Sequence, residues 1–340
     1  MHTYTLPTPF TTEAGDTLNQ LTLAYCTYGN FVPGKSKVVW ICHALTASAD
    51  VADWWPSLVG EGKAIDPHDY FYFIVCVNIP GSCYGTTGPL SVNPATGQPY
   101  YGSFPLFTIR DMVQSFIALR KHLGIEQIYL LAGGSMGGYQ CLEWALAEPA
   151  RIENLMLVAT SARESAWGIA IHTAQRNAIE TDPTFGLPQP DAGAAGMKTA
   201  RMIGMLTYRS YQAFVHTQSD ADERIDNFSA SSYMHYQGQK LVNRFNAYTY
   251  HLLTRSMDSH NAGRGRGGVA AALARVNAHT LCIGITTDML CPTNEQREMA
   301  AHIPDATYIE IESPFGHDGF LVEGEKIGSH LLNWLSVTVN

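Results

Sequence analysis

The sequence predicts an α/β domain, a mainly parallel sheet flanked by helices and interrupted by a helical insertion. Three observations carry this. Short apolar runs recur at 38–44, 70–79, 128–131, 155–159, 280–286 and 307–311. Helical candidates lie between and after them at 109–123, 139–147, 269–276, 294–302 and 326–334, the alternation of crossover-connected parallel strands. Between about 160 and 278 the strand-like runs stop and helical periodicity takes over, as at 201–206, 211–215 and 240–253. The run 70–79 is apolar almost without a break, as suits a strand covered on both faces. The pattern divides the chain into a core of residues 1–160 and 279–340 and an inserted helical lid of residues 161–278. Such a lid is expected over the carboxyl edge of the sheet, where ligand sites of α/β folds form.

Composition narrows the function class. With 46% hydrophobic and 15% charged residues, the 340-residue chain has ample material for a large core. Its net charge of −9 argues against nucleic acid or an anionic membrane as a partner. Seven scattered cysteines, an odd number with no C-x-x-C pair, point to a reducing compartment. The N-terminal residues lack the basic and apolar regions of a leader, and no segment nears the roughly 18 apolar residues of a membrane span. A cytoplasmic location is therefore expected. No histidine–cysteine ligand spacing or acidic cluster calls for a metal. Residues 198–275 differ from the rest, with ten basic against five acidic side chains. Solvated helix faces produce such clusters, and an anionic substrate is the functional alternative.

The chemistry begins at Gly133-Gly134-Ser135-Met136-Gly137, a G-x-S-x-G sequence set between the apolar run 128–131 and the helical stretch 139–147. A sharp strand-to-helix turn forces its apex residue into a strained conformation, and flanking glycines admit the close approach. The result is a serine hydroxyl held above the sheet at the positive end of a helix. A serine hydroxyl needs a base, and the base needs a carboxylate to orient it. In this architecture the chain order is serine, acid, histidine. Asp288 follows the run 280–286, and His317 follows the last run within a glycine-flanked loop. Both are in the required order and at strand carboxyl ends. An oxyanion hole is expected from the Met136 N–H and from the loop after the first core run, His43-Ala44-Leu45-Thr46-Ala47, with Leu45 N–H as the second donor. His43 competes as a base, but it precedes the serine and belongs to that early loop, so a structural role is expected for it.

Gly263-Arg264-Gly265-Arg266-Gly267-Gly268 matches a dinucleotide fingerprint, and Asp288 follows twenty residues later. The residues before it, 252–262, do not form a buried strand, so the required βαβ unit is absent and a nicotinamide-dependent oxidoreductase is disfavoured.

Several longer motifs occur in a specific joint order: His43-Ala44-Leu45-Thr46; Trp54-Trp55 leading into Leu58-Val59-Gly60; Asn78 and then Gly81-Ser82-Cys83-Tyr84-Gly85-Thr86-Thr87-Gly88-Pro89; the serine elbow; Leu206-Thr207-Tyr208-Arg209-Ser210; Tyr236-Gln237-Gly238; the Gly263–Gly268 segment; and Gly316-His317-Asp318. On these, nearly the whole chain resembles the homoserine O-acetyltransferase family, whose members have the α/β-hydrolase fold. The resemblance implies Ser135 as acyl acceptor, His317 as base and Asp288 as its partner. It also implies that Arg209 and Asp318 hold the amino acid, a guanidinium for the α-carboxylate and a carboxylate for the α-ammonium. The implied reaction is ping-pong transfer from acetyl-CoA to the homoserine hydroxyl, with no bound cofactor, in a homodimer built through the lid helices. Tyr208, Tyr211, Tyr233 and Tyr236 are candidate aromatics for that interface. The chain departs from the family at Ala47-Ser48-Ala49-Asp50, at Tyr139 and in a shortened stretch 185–195. A homoserine O-succinyltransferase, a serine O-acyltransferase or an esterase of the same fold uses the same triad, and these remain the alternatives. A catalytically inactive binding module is disfavoured by the complete set Ser135, Asp288 and His317.

Overall fold

The computed structural model describes residues 1–69 and 71–337; Tyr70, which opens the expected run 70–79, lies outside them. The strands are β1 (His2–Thr5), β2 (Phe10–Thr11), β3 (Thr17–Leu18), β4 (Thr22–Tyr28), β5 (Lys37–Cys42), β6 (Tyr72–Val77), β7 (Ile128–Gly134), β8 (Ile152–Val158), β9 (His279–Ile285) and β10 (Ala306–Ile311). Among the described residues, eight of them form one sheet in the order β1-β4-β6-β5-β7-β8-β9-β10, while β2 and β3 make a separate two-stranded ribbon. The strands from β5 to β10 run parallel, and β4 and β1 add antiparallel at one edge.

The sheet is covered on both faces, and β5 shows how. Val38, Trp40 and Cys42 enter one apolar cluster while Val39 and Ile41 enter the other, the two-residue period of a pleated strand. On the first face Trp40 packs edge-on against Trp144 at 4.9 Å, within α3 (Met136–Ala147), and α2 (Ile109–His122) covers the same side. On the second face lie α1 (Val51–Trp54) and α12 (Gly324–Val337), which bring Trp55, Ile327 and Leu331 into the second cluster. Fully burying each such side chain contributes about 1.5–3 kcal/mol. The start of α2 is fixed by a capping box: Thr108 accepts from the Asp111 N–H, and the Asp111 carboxylate accepts from the Thr108 N–H at 2.8 Å.

Between β8 and β9 the chain leaves the sheet for α4 (Ala166–Glu180), α5 (Ala194–Tyr208), α6 (Tyr211–Gln218), α7 (Ser229–Val242), α8 (Ala247–Asp258) and the short α9 (Val269–Leu273). The helical period at 240–253 is broken where Asn246 starts α8, its side-chain oxygen accepting from the Thr249 N–H at 2.8 Å. The chain then re-enters the sheet, and α10 (Thr293–His302) and α11 (Gly319–Val322) follow β9 and β10. The dinucleotide-like segment 263–268 is preceded by a helix, as its flanking sequence indicated. Its arginines serve the fold: Arg264 pairs with Glu13, and Arg266 pairs with the buried Glu143 at 2.7 Å. Among the described residues, no helix is long and apolar enough to cross a membrane, and all seven cysteines are free thiols.

The tightest backbone approach lies under the elbow. A Cβ built on Gly137 would sit 2.1 Å from the Cys42 carbonyl oxygen, so α3 can start there only because that residue is glycine. Gly137→Ala is expected to cost about 3 kcal/mol or more by overpacking against rigid backbone. Urea unfolding checks this: a midpoint equal to that of the parent protein would show that the approach does not constrain the fold.

Candidate active site

Three strand ends converge on one site. Ser135 follows β7 with φ +54° and ψ −128°, a strained conformation of the kind that costs roughly 1–3 kcal/mol. Neighbouring bonds hold it there: Ser135 N–H donates to the Val158 carbonyl at 3.0 Å, and the Thr160 hydroxyl donates to the Ser135 carbonyl at 2.8 Å. Asp288 follows β9. Its Oδ1 accepts from the Leu290 and Cys291 N–H groups at 2.8 and 2.9 Å, which leaves Oδ2 aimed at His317. His317 follows β10 and is drawn to Asp288 by Thr287, whose hydroxyl accepts from the Gly316 N–H at 2.9 Å.

The relay is complete. His317 Nδ1 lies 2.7 Å from Asp288 Oδ2, and His317 Nε2 lies 2.8 Å from Ser135 Oγ. A carboxylate only accepts, so Nδ1 carries the proton and donates, and the serine hydroxyl donates to the bare Nε2. Burial works against a charged imidazole at His317, but the charge and hydrogen bond of Asp288 outweigh it and raise its pKa. This arrangement can deprotonate a hydroxyl and then hold the resulting imidazolium.

Met136 N–H opens α3, and Leu45 sits in the loop after β5 on the wall of the same cavity. Among the described residues, neither amide has a hydrogen-bond acceptor, so both are free for an oxyanion. His43 is buried in that loop, where it accepts at Nε2 from the Ile79 N–H at 3.2 Å and donates from Nδ1 to the Ala44 carbonyl at 2.8 Å. Burial lowers its pKa to about 4. It is a neutral structural residue, as its position before the serine indicated. Asp288, Cys291 and His317 also cluster closely enough to suggest a metal. However, both carboxylate oxygens are engaged and burial pushes the Cys291 thiol well up, so the donor set does not fit one.

A cavity of about 90 Å³ opens over Ser135 and His317, lined also by Leu45, Arg201, Tyr208 and Asp318. Asp318 was expected here; Arg201 was not. Arg209, singled out by its motif, is brought to Asp318 with Nε 2.8 Å from Oδ2, a close ion contact whose N–H is not aligned on the oxygen. It meets the cavity through Asp318 and is not itself among the lining residues. α5 ends at Tyr208 and leaves Arg209 extended at φ −110° and ψ 143°. Arg201 lies two turns before Tyr208 on the same helical face, with its guanidinium 5.2 Å from that ring. That seven-residue spacing was the available signal for it. Tyr208 is likewise a cavity residue, whereas Tyr211 and Tyr236 are exposed and Tyr233 packs on Phe214. Burial raises the pKa of Asp318, with Arg209 and then Arg201 pulling it back.

Sheet, elbow and relay together define the class, an enzyme of the α/β-hydrolase fold. A family profile described as alpha/beta hydrolase fold matches residues 37–324. A homoserine O-acetyltransferase of Cyclobacterium marinum is 47% identical over 315 residues, 93% of this chain and 89% of that protein. Among solved structures, a homoserine O-acetyltransferase from Bacillus anthracis superposes with a TM-score of 0.90 at 24% identity, covering 98% of this chain and 96% of the other. Esterase E22 superposes with a TM-score of 0.88 at 24% identity, covering 98% and 99%. At these identities the two structures speak for the fold alone, and the relative at 47% carries the family. The chain belongs to the homoserine O-acetyltransferase family, and it is an acyltransferase.

The raised pKa of His317 sets the pH response. A histidine base works only when neutral, so with His317 in that role kcat/KM should fall as pH drops through a value above the ordinary imidazole pKa of about 6.5. Asp288→Asn should move that limb down and lower the rate on the order of 10⁴-fold. A pH–rate profile of both proteins checks this, and a limb unmoved by the substitution contradicts the assigned coupling.

Proposed function

We propose that the chain transfers the acetyl group of acetyl-CoA to the side-chain hydroxyl of homoserine by a ping-pong reaction on Ser135, with residues 161–278 acting as the lid. The reading is carried by one observation: a single cavity joins the serine–histidine pair to one arginine and one carboxylate, the complement of a zwitterionic amino acid. Ser135 Oγ attacks the thioester carbonyl while His317 takes its proton, and the N–H groups of Leu45 and Met136 receive the oxyanion. The C–S bond breaks, His317 returns the proton to the coenzyme A thiolate, and the acetyl-serine remains. Homoserine then docks with its α-carboxylate on Arg201 and its α-ammonium at Asp318, which Arg209 steadies from behind. His317 deprotonates the side-chain hydroxyl, which attacks the acetyl-serine. O-acetylhomoserine leaves as Ser135 regains its proton.

Acetyl is favoured over succinyl by the same cavity. Arg201 is the one Lys or Arg among its lining residues. Once Arg201 holds the acceptor's carboxylate, no second Lys or Arg remains among the described lining residues for the distal carboxylate of a succinyl group. A biosynthetic acyltransferase of this kind fits a cytoplasmic setting, with homoserine and acetyl-CoA as its partners and no bound cofactor. Exposed Leu206, Tyr211 and Tyr236 on the lid support a homodimer through that face.

Intact-protein mass spectrometry after brief exposure to acetyl-CoA tests the mechanism. One acetyl group should appear on the Ser135 peptide, disappear on adding homoserine, and be absent from Ser135→Ala. No acylation of the parent protein would overturn the reading. Arg201→Gln should leave acylation intact and lower kcat/KM for homoserine roughly 10- to 100-fold, the loss of a charge-assisted pair worth about 1.5–3 kcal/mol.

A further inference from the structure

One wall of the catalytic cavity is used by neither the triad nor the Arg201–Asp318 pair. It is formed by Ile171, His172 and Gln175 of α4, which the helical period places on one face. His172 is 4% exposed and Gln175 1%, so their polar atoms are exchanged from water into the protein and need partners there.

Each has one acceptor atom without a partner. His172 Nδ1 is 2.7 Å from Asp258 Oδ1, and Asp258 Oδ2 is in turn 2.7 Å from Arg176 Nη2. The carboxylate cannot donate, so Nδ1 carries the hydrogen and the ring is fixed in one orientation and tautomer. In that tautomer Nε2 is a hydrogen-bond acceptor, and among the described residues it has no partner. Gln175 Oε1 is fully buried and accepts from no donor. A third acceptor stands on the same cavity, the Asp318 carboxylate, whose Oδ2 is in close ion contact with Arg209.

The structure assigns His172 and Gln175 to the acceptor subsite: with the Asp318 carboxylate they supply three hydrogen-bond acceptors for the three hydrogens of a substrate α-ammonium. This deepens the reading of homoserine as acceptor and rests on it. An ammonium held by Asp318 alone would bury two unsatisfied N–H groups, a heavy desolvation cost. His172 Nε2 and Gln175 Oε1 remove that cost without adding charge. They are specificity-determining residues, selecting an amino-acid alcohol over a hydroxy acid of the same length. A pantetheine amide of coenzyme A also donates N–H, and the test separates this occupant.

The experiment compares homoserine with 4-hydroxybutyrate, which keeps the hydroxyl and carboxylate but lacks the ammonium. The latter is assayed as an acyl acceptor and as a competitive inhibitor against homoserine. Gln175→Met and His172→Leu should each lower kcat/KM for homoserine roughly tenfold while leaving 4-hydroxybutyrate within about twofold by either assay. The rate of acetyl-serine formation from acetyl-CoA should not change, which also reports that each variant is folded. His172→Asn, which keeps an acceptor, should recover most of the loss. An equal loss with both acceptors, or a slowed acylation step, overturns the assignment. Failure of the parent protein to acylate, or to pass acetyl to homoserine, would instead sink the underlying reading.

Discussion

The site depends on a hydrogen bond between residues 182 positions apart, from Ser135 Oγ to His317 Nε2. Neither side chain can place itself. Ser135 stands at the carboxyl end of β7, Asp288 after β9 and His317 after β10, and a parallel register brings those ends to one edge. The strain at Ser135 is therefore a local cost offset by a sheet-wide arrangement. Phe320 shows how close the fit is: its ring occupies the space a Cβ on Gly134 would fill, and it packs edge-on against His317 at 5.4 Å. The imidazole is thus held from below by packing and from both sides by hydrogen bonds, so little reorganisation is required when charge appears on it.

The same logic explains why long stretches of the chain carry a family signature without touching substrate. In the proposed mechanism the loop of residues 43–50 has to hold one amide in place for an oxyanion, and four contacts from three other parts of the chain fix it. Ile79 N–H donates to His43 Nε2, Gln140 Nε2 donates to the His43 carbonyl, and Ala49 N–H donates to Asn78 Oδ1 at 2.7 Å. From the segment between α7 and α8, Arg244 donates to the Thr46 carbonyl and to the Tyr84 hydroxyl. Asn78 is fixed in turn by donating to the Tyr84 carbonyl at 2.8 Å. The motif around 78–89 is thus a brace for the loop. The glycine–arginine segment 263–268 is a second brace, where Arg110 donates to the Arg264 carbonyl and buried Glu143 lies between Arg110 and Arg266. Much of the basic character of residues 198–275 is taken up in this way, leaving Arg201 to face the cavity.

What could be read from the chain follows from how local each constraint is. Ser135, Asp288 and His317 were legible because a strand-to-helix turn, a strand end and a glycine-flanked loop each leave a mark within a few residues. The parallel strands were legible as short apolar runs. The antiparallel edge strands β1 and β4 were not, because Thr3, Thr5, Thr22 and Thr27 interrupt the apolar pattern. Arg201, His172 and Gln175 sit within helices, where a cavity-facing side chain shows the same period as a core-facing one. Arg209 stood out in its motif, and it lies against Asp318, a residue of the cavity wall.

Esterases share this fold at high structural similarity, so the relay alone does not select the second acceptor. Water needs no recognition and is always present, so transfer wins only if the intended alcohol is held against the acyl-serine at high effective concentration. For a small amino acid the grip must come from its charged ends, because homoserine has too little apolar surface to provide it. Those charges bind tightly only in a cavity that excludes water, and there each unsatisfied N–H or carboxylate oxygen carries a heavy penalty. Choosing a transferase over a hydrolase thus becomes a question of polar satisfaction. In the proposed reading Arg201 answers it for the carboxylate. For the ammonium the Asp318 carboxylate alone is not enough in that reading, and the acceptors on α4 supply what is missing, so the helical insertion takes part in selecting the acceptor.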